Sequence, residues 1–242
     1  MRLYGLVGKP LTHSFSKSWF SEKFEREQIE DAVYENFELD SITKLPQLIG
    51  SLPHLRGLNI TIPYKEAVLP YLTESSSVVQ EIGACNCIKI EDQNLIGHNT
   101  DIIGFELSLS PHLKSHHTKA LILGTGGAAK AVAYVLKKLN IAYAFVSRSA
   151  NADLQYHNLD KEIIESHHLI INTTPLGMYP DISSYPAIDF NLIGEKHLLY
   201  DLIYNPAKTT FLKLGEARGA SVIDGYRMLV LQAEESWKVW NS

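Results

Sequence analysis

Three glycines set between a strand-like run and a helix-like run are the chemical centre of the chain. Gly124-Thr125-Gly126-Gly127-Ala128-Ala129 fits the pattern G-x-G-x-x-G/A. Lys119 to Leu123, just before it, is a short apolar run suited to a buried parallel strand, and Ala128 to Leu139 is rich in helix formers. In such a turn Gly124 permits the tight bend, Gly126 has no Cβ to hold a pyrophosphate off the backbone, and Ala129 lets helix and strand pack closely. The helix start offers unpaired N–H groups and a positive dipole end to phosphates. Glycine-rich strand-to-helix turns also occur as plain connections, so the strand before and the helix after are what favour a nucleotide. The next apolar run, Ile141 to Val146, ends at Ser147-Arg148-Ser149, about where a dinucleotide fold meets the adenosine ribose. An Asp or Glu there would hold the ribose 2'-hydroxyl of NAD. Arg148 instead can pair a 2'-phosphate and stack on the adenine, so NADP is the expected cofactor, against the plainer reading of a solvated loop arginine.

Outside that turn the reactive side chains stand singly. Ser14 and Ser16 precede an expected helix from about Lys17 to Gln28. Two hydroxyls at i, i+2 there can bind a small carboxylate, or Ser16 can cap the helix while Ser14 serves the turn; the residues alone leave both open. In Leu58-Asn59-Ile60-Thr61-Ile62 the alternation sends Leu58, Ile60 and Ile62 to one face and Asn59 and Thr61 to the other, so the strand borders a site or solvent. Lys65 follows at its mouth, where a lysine is ordinarily a surface residue, on the turn into an expected helix with Ala67, Val68 and Leu69. Asn86 alternates with Ile88 and Ile90, and an amide on that apolar face needs a partner from protein or ligand. Asp101 opens a helix, where capping is the commoner use of Asp, and Gln232 flanks an apolar stripe as a rim residue would.

The elements that must position these groups alternate strand and helix. Leu3 to Val7 and Val33 to Leu39 read as strands, Ser41 to Leu52 as a helix broken near Pro46, and Ala84 to Ile90 with Leu95 to His98 as a hairpin. Leu169 to Asn172, Leu198 to Leu202 and Ser221 to Ile223 continue as short strands, with helices near Lys161 and from Lys208 to Ala217. Ala150 to Asn158 is the least structured run. Tyr226 to Trp240 is a terminal helix with Leu229, Ala233, Trp237 and Trp240 on its apolar stripe. The loops Thr173 to Met178 and Tyr204-Asn205-Pro206 follow carboxyl ends of strands, where an open α/β sheet binds ligands.

With 242 residues, 45% of them hydrophobic, the chain can fill one or two cores. A net charge of -5 gives no general attraction to nucleic acid or anionic membrane. No run approaches the ~20 apolar residues of a membrane span, and Met1 to Gly8 makes no signal peptide, so the expected location is the cytoplasm. Cys85 and Cys87, the only two cysteines, share one strand face without the approach a disulfide needs. No C-x-x-C occurs, and the pairs His116-His117 and His167-His168 read as solvated loop residues, so no metal is expected.

Taken in order, these motifs resemble the shikimate dehydrogenase family over nearly the whole chain. The blocks are G-K-P-L-T-H-S-F-S at 8–16, N-I-T-I-P-Y-K at 59–65, A-C-N-C at 84–87 and G-H-N-T-D-x-x-G at 97–104. After the glycine turn come I-N-T-T-P-L-G-M at 171–178, D-L-I-Y-N-P at 201–206 and G-Y-x-M-L-x-x-Q-A at 225–233. The resemblance implies a two-domain α/β enzyme: residues 1–101 with the helix 226–242 bind shikimate, residues 102–225 form a doubly wound Rossmann NADP domain, and the site is the cleft between them. It implies that Ser14 and Ser16 bind the substrate carboxylate, that Thr61, Asn86, Asp101 and Gln232 bind ring hydroxyls, and that Lys65 is catalytic with Asp101 as partner. Gly124, Thr125, Gly126, Gly127, Ala128, Ser147, Arg148, Ser149 and Thr173 match the NADP site. Met178, Leu202 and Gly225 lie where the family lines the nicotinamide, with Tyr204 on the substrate side.

The implied activity is the reversible NADPH-dependent reduction of 3-dehydroshikimate to shikimate on the route to chorismate and the aromatic amino acids, by a cytoplasmic monomer or homodimer. Three departures stand out. The family's Asn-Arg-Thr is Ser147-Arg148-Ser149 here, with no following basic residue in Asn151 to Gln155, which leaves one arginine for the 2'-phosphate. Ala-Val-Asn-Thr appears as Ala84-Cys85-Asn86-Cys87, with a thiol for a hydroxyl. The chain is also short for the family, with loops of the second half the expected place of trimming. Two alternatives remain: a quinate/shikimate dehydrogenase of broader specificity, disfavoured in its NAD-linked form by Arg148, and a catalytically silent NADP-binding regulatory homologue, disfavoured by the presence of both Lys65 and Asp101.

Overall fold

The computed structural model describes residues 1–11 and 14–242; Thr12 and His13 of the serine loop lie outside the described residues. The chain forms two compact units, Met1–Thr100 with Gln232–Ser242, and Asp101–Leu231.

The first unit runs β1 (Arg2–Gly8), α1 (Phe15–Arg26), β2 (Ala32–Glu38), α2 (Leu45–Ser51), β3 (Leu55–Ile60), β4 (Glu74–Ser75), α3 (Ser77–Ile82), β5 (Cys87–Glu91) and β6 (Asn94–His98). Its sheet has the order β2-β1-β3-β5-β6-β4, with β1 parallel to both neighbours and β5 antiparallel to both of its own. The expected hairpin turns at Asp92 and Gln93, both at positive φ as a two-residue primed turn requires. Leu45, Leu55, Leu58, Ile60, Val68 and Ile88 make the core on one side. The end of the terminal helix α8 (Tyr226–Asn241) belongs to this unit. Trp240 stacks on Tyr4 with centroids 4.8 Å apart and donates its indole N–H to the Ile88 carbonyl at 3.0 Å. Gly57 makes room for it, since a Cβ there would collide with the indole.

The second unit continues with α4 (Asp101–Leu109), β7 (Lys119–Leu123), α5 (Gly127–Lys138), β8 (Ala142–Ser147), β9 (Leu154–Gln155), α6 (Lys161–Ser166), β10 (Leu169–Asn172), β11 (Leu198–Asp201), α7 (Thr210–Glu216) and β12 (Ser221–Ile223). All six strands are parallel, in the order β9-β8-β7-β10-β11-β12. Counted within the unit this is 3-2-1-4-5-6, the doubly wound order of dinucleotide folds. Both faces are covered, which is why the strands read as continuous apolar runs. Ala120, Ile122, Leu169, Ile171, Leu198 and Tyr200 enter one core, while Leu121, Leu123, Ile170 and Leu199 enter the other.

Local expectations fail where prolines or short pieces decide the backbone. The segment after Lys65 is turns and a 3-10 turn at Leu69–Tyr71, not a helix, because Pro63 and Pro70 leave too few free N–H groups between them. β3 ends at Ile60, so Ile62 is 59% exposed instead of facing the core. Pro46 lies in the first turn of α2 and begins that helix instead of breaking it. Ala150 to Asn158 contains β9 and a 3-10 turn. On α8 the buried positions are Met228, Ala233, Ser236 and Trp240; Leu229 and Trp237 are only half-buried, so a serine occupies the inner face.

Candidate active site

A connected set of hydrogen bonds crosses the interior of the first unit. Tyr34, on β2, donates its hydroxyl to Asn59 Oδ1 at 3.0 Å. Asn59, on β3, donates Nδ2 to the Asn86 carbonyl at 3.3 Å and to Ser236 Oγ at 2.8 Å. Ser236, on α8, meets Thr100 Oγ1 at 3.1 Å and donates to the Gln232 carbonyl at 2.9 Å. Thr100 closes the set on Asn86: its N–H donates to Oδ1 at 2.6 Å, and Asn86 Nδ2 donates to Thr100 Oγ1 at 3.0 Å. All five of Tyr34, Asn59, Asn86, Thr100 and Ser236 are buried. Burial pushes the Tyr34 hydroxyl well above the usual phenol range, against the pull of a bond with Ser16, so it remains a donor.

The serine pair divides its work differently from expectation. The helix α1 starts at Phe15, which puts Ser14 rather than Ser16 at the N-cap position, and the Ser16 hydroxyl is set beside that of Tyr34. Ser14 makes no capping bond, and its Oγ is buried with no hydrogen-bond partner among the described residues. Leaving a buried hydroxyl unpaired costs about 1–3 kcal/mol, so Ser14 marks a place where a ligand oxygen fits.

Thr61 and Lys65 stand on the loop that leaves β3. Thr61 N–H donates to the Val7 carbonyl at 2.9 Å, and the Lys65 carbonyl accepts from Cys85 N–H at 2.8 Å, one residue from Asn86. The fold therefore brings the backbone of Lys65 beside that of Asn86, with the Lys65 side chain half-buried. Cys85 and Cys87 are buried free thiols. Gln232 is half-buried on α8, one turn before Ser236. Asp101, buried as the first residue of α4, and Tyr204, half-buried after β11, belong to the second unit.

In the second unit the glycine turn joins β7 to α5. Gly124 has φ +115° and donates its N–H to the Val146 carbonyl at 2.8 Å. Gly126 is exposed at the N-cap of α5, and a Cβ placed on it would meet nothing within 4 Å. With Thr125 also exposed and the first-turn N–H groups of Gly127 and Ala128 unused by the helix, this cradle fits a diphosphate. At the end of β8, Ser147 Oγ accepts from Ser149 N–H at 3.2 Å and the Arg148 carbonyl accepts from Gln155 Nε2 at 3.1 Å. These bonds shape the loop and leave the Arg148 side chain exposed. Leu202 and Gly225 come together so closely that a Cβ on Gly225 would collide with the Leu202 carbonyl. Met178 is exposed on the loop after β10.

Sequence reasoning missed a second polar cluster that holds those loops. Asn172, the last residue of β10, donates Nδ2 to Asp201 Oδ1 at 3.0 Å and accepts from Thr174 N–H at 3.0 Å and Thr174 Oγ1 at 2.6 Å. Asp201, the last residue of β11, also accepts from Ile203 N–H at 3.1 Å and Thr209 Oγ1 at 2.6 Å. Burial raises the Asp201 carboxyl to about 6 despite those donors. The signal was available: a polar residue closing each of two apolar strands. Tyr34, Thr100 and Ser236 were missed as well, while Asn59 had shown itself by its place on the polar face of its strand.

The histidine pairs are more than solvated loop residues: His117 is buried and His116, His167 and His168 are half-buried. His117 is buried, with Nδ1 accepting from Lys114 N–H at 3.0 Å and Nε2 facing the Lys196 carbonyl at 3.3 Å. His168 Nδ1 meets the His116 carbonyl at 3.2 Å, and its ring abuts that of His197. The residues just before β7, β10 and β11 thus serve as packed connectors. Among the described residues no group of three or more His, Cys, Asp or Glu side chains is placed to hold a metal, and no helix is long and apolar enough to cross a membrane.

Comparison with known proteins agrees with this geometry. The profile of the shikimate dehydrogenase substrate binding domain matches residues 6–88. A shikimate dehydrogenase (NADP(+)) of Carboxydothermus hydrogenoformans is 38% identical over 99% of this chain and 91% of its own. The crystal structure of shikimate dehydrogenase from Aquifex aeolicus superposes with a TM-score of 0.89 at 32% identity, over 100% of this chain and 92% of that one. Shikimate 5-dehydrogenase of Thermus thermophilus, solved in complex with NADP(H) and shikimate, gives a TM-score of 0.88 at 29% identity, over 99% of this chain and 93% of its own.

Proposed function

Because the chain belongs to the shikimate dehydrogenase family, we propose that the residues gathered in its two units carry out the NADP-dependent interconversion of shikimate and 3-dehydroshikimate. The first unit is the substrate-binding domain and the second the Rossmann-type NADP domain. One observation carries the substrate side: Ser14 Oγ is buried with no hydrogen-bond partner among the described residues, and Ser16, also assigned to the substrate carboxylate, lies two residues on in the first turn of α1. A carboxylate oxygen would satisfy Ser14 and gain a charge-assisted bond.

Around that anchor, Asn86, Thr61 and Gln232 are assigned to the ring hydroxyls. Asn86 is the best defined, because its Oδ1 is committed to the Thr100 N–H and one Nδ2 hydrogen to Thr100 Oγ1, so the second Nδ2 hydrogen is the donor assigned to the substrate. A set of such fixed donors and acceptors rejects analogues lacking one hydroxyl. Tyr204 is assigned to the substrate as well.

NADP, when bound, supplies the hydride acceptor for oxidation of the alcohol carbon, and as NADPH the hydride for the reverse reaction. Lys65 takes the alcohol proton as the neutral amine and returns it from the ammonium in the reduction, so proton and hydride leave and arrive together in number. Asp101 is assigned as the partner of Lys65 in proton transfer. Gly124, Thr125, Gly126, Gly127 and Ala128 hold the diphosphate, Arg148 with Ser147 and Ser149 the 2'-phosphate, and Thr173, Met178, Leu202 and Gly225 line the nicotinamide side. The two buried free thiols and the metabolic role support a cytoplasmic location, and a monomer or homodimer suffices for a site built from one chain.

The test is to follow nicotinamide reduction by purified protein with shikimate and NADP, beside NAD and quinate. Shikimate-dependent reduction that prefers NADP is the expected result; cofactor binding without turnover on either acid would remove the reading.

A further inference from the structure

We infer that Ser236 is a positioning residue for shikimate, tying the amide of Asn86 and the helical turn that carries Gln232 into one rigid receptor without touching the substrate itself. The inference rests on the proposed substrate assignment of Asn86 and Gln232.

Ser236 is fully buried and bonded on three sides: to Asn59 Nδ2 at 2.8 Å, Thr100 Oγ1 at 3.1 Å and the Gln232 carbonyl at 2.9 Å. A serine hydroxyl has one proton and two lone pairs, so this is its full capacity. A serine bonded to the carbonyl four residues back gains nothing for its helix and slightly weakens it. Its place among Ala233 and Trp240 on the buried face would suit alanine better on packing grounds. What the hydroxyl adds is connection among three parts of the chain, β3, Thr100 two residues beyond β6, and α8.

The consequence for Asn86 follows from donor and acceptor types. Thr100 N–H is an obligatory donor, and at 2.6 Å from Asn86 Oδ1 it forbids the flipped amide, which would set donor against donor. The Thr100 side chain completes that grip through Oγ1, 3.0 Å from Asn86 Nδ2. With the single Ser236 proton on the Gln232 carbonyl, Thr100 Oγ1 donates to Ser236 and accepts from Asn86 Nδ2, in keeping with that amide orientation. Thr100 Oγ1, in turn, is fixed in its rotamer by Ser236. Without Ser236 the threonine hydroxyl loses one of its anchors, Asn59 Nδ2 loses its shorter bond, and the Gln232 turn is freed from both. Precision in the hydroxyl-binding amides is therefore set from the far side of the buried network.

The experiment compares Ser236→Ala with Trp240→Phe, a packing and hydrogen-bond loss one turn further along the same helix, outside the network. Thermal midpoints and KM for shikimate and for NADP are measured for both and for the unaltered protein. Ser236→Ala is expected to raise KM for shikimate about tenfold or more with KM for NADP within about twofold, while Trp240→Phe lowers the midpoint and leaves both KM values within about twofold. Thr100→Val, isosteric but without the hydroxyl, should reproduce the shikimate effect and Thr100→Ser should restore it, which keeps the inference testable if Ser236→Ala does not fold. A folded Ser236→Ala with unchanged KM for shikimate overturns the inference, as does a parallel rise in both KM values or the same shikimate effect in Trp240→Phe. Unaltered protein inactive on shikimate and NADP overturns the functional reading itself, and the inference with it; an active unaltered protein with indifferent variants overturns the inference alone.

Discussion

Thr173 occupies the space that a side chain on Gly124 would need: its Oγ1 lies 2.6 Å from the position of a Cβ there, and it donates to the Leu123 carbonyl at 2.7 Å. The two residues directly follow the adjacent strands β10 and β7, at the point where strand order reverses and a doubly wound sheet opens to a ligand. Gly124 is therefore required by the protein. Gly126, two residues on, meets nothing, and is required only if something binds over it.

That contrast makes a paired prediction. Gly124→Ala, strained at φ +115° and crowded by Thr173, should lower the thermal midpoint by an amount equivalent to roughly 1–3 kcal/mol. Gly126→Ala, with φ -79°, should fold with a midpoint near that of the unaltered protein and bind NADP about tenfold or more weakly. Differential scanning fluorimetry and calorimetric titration with NADP separate the two. Undiminished NADP binding by Gly126→Ala would remove the diphosphate from this turn.

Arg148 is exposed on a loop whose backbone is held by Gln155 and by the two serines, so its replacement should leave the fold intact. Arg148→Gln is expected to raise KM for NADP about tenfold or more, an effect near 1.4 kcal/mol, and to leave KM for NAD within about twofold. The ratio of the two KM values is the measurement. Equal effects on both cofactors would mean that Arg148 acts on the part they share.

The sheet of the second unit was legible because its strands other than β9 are short, apolar and closed by a polar or glycine residue; Lys119–Leu123, Leu169–Asn172 and Ser221–Ile223 have the ends read from the sequence. β4 and β9, of two residues each, carry no pattern that a period of two could reveal. Motif residues such as Gly124 and Asn86 announced themselves by type. Ser236 and Asp201 did not, since a single polar residue on an apolar face looks the same whether it is bonded to three partners or to water. Whether Ser16 caps the helix or joins Ser14 at a carboxylate was left open by the residues, because its neighbour Tyr34 comes from a strand 18 residues away and no local rule connects the two.

Lys65 is half-buried, and its carbonyl accepts from Cys85 N–H, a backbone bond that a change of side chain leaves in place. Lys65→Ala should therefore fold, bind NADP with nearly unchanged affinity and lose about 10² to 10⁴ in kcat. Steady-state rates beside a cofactor titration make the check. Loss of NADP binding in this variant would count against placing the lysine on the substrate side.

His117 and His197 make stability fall in acid. Burial is the main cause that lowers both below 6.5, and for each ring a backbone N–H directed at Nδ1, from Lys114 and from Gly194, requires an unprotonated nitrogen. His116, His168 and Lys114 add positive charge or the capacity for it around His117, and His168 does so around His197, where Glu165 opposes it. A folded pKa below the unfolded value means that the unfolded chain binds protons first, so the contribution is complete above about pH 6.5 and is lost as pH falls through the lowered values. Asp201 works the other way: with its carboxyl raised to about 6, the folded protein binds the proton first, and its contribution grows as pH falls from about 6 towards 3.8. The two effects are separated by variants. His197→Gln can keep an acceptor for Gly194 N–H and a donor for the Ile164 carbonyl without titrating, so its thermal midpoint should fall less steeply than that of the unaltered protein between about pH 7 and pH 5, from a somewhat lower start. Parallel profiles for the two proteins would show that His197 takes no part in the acid response.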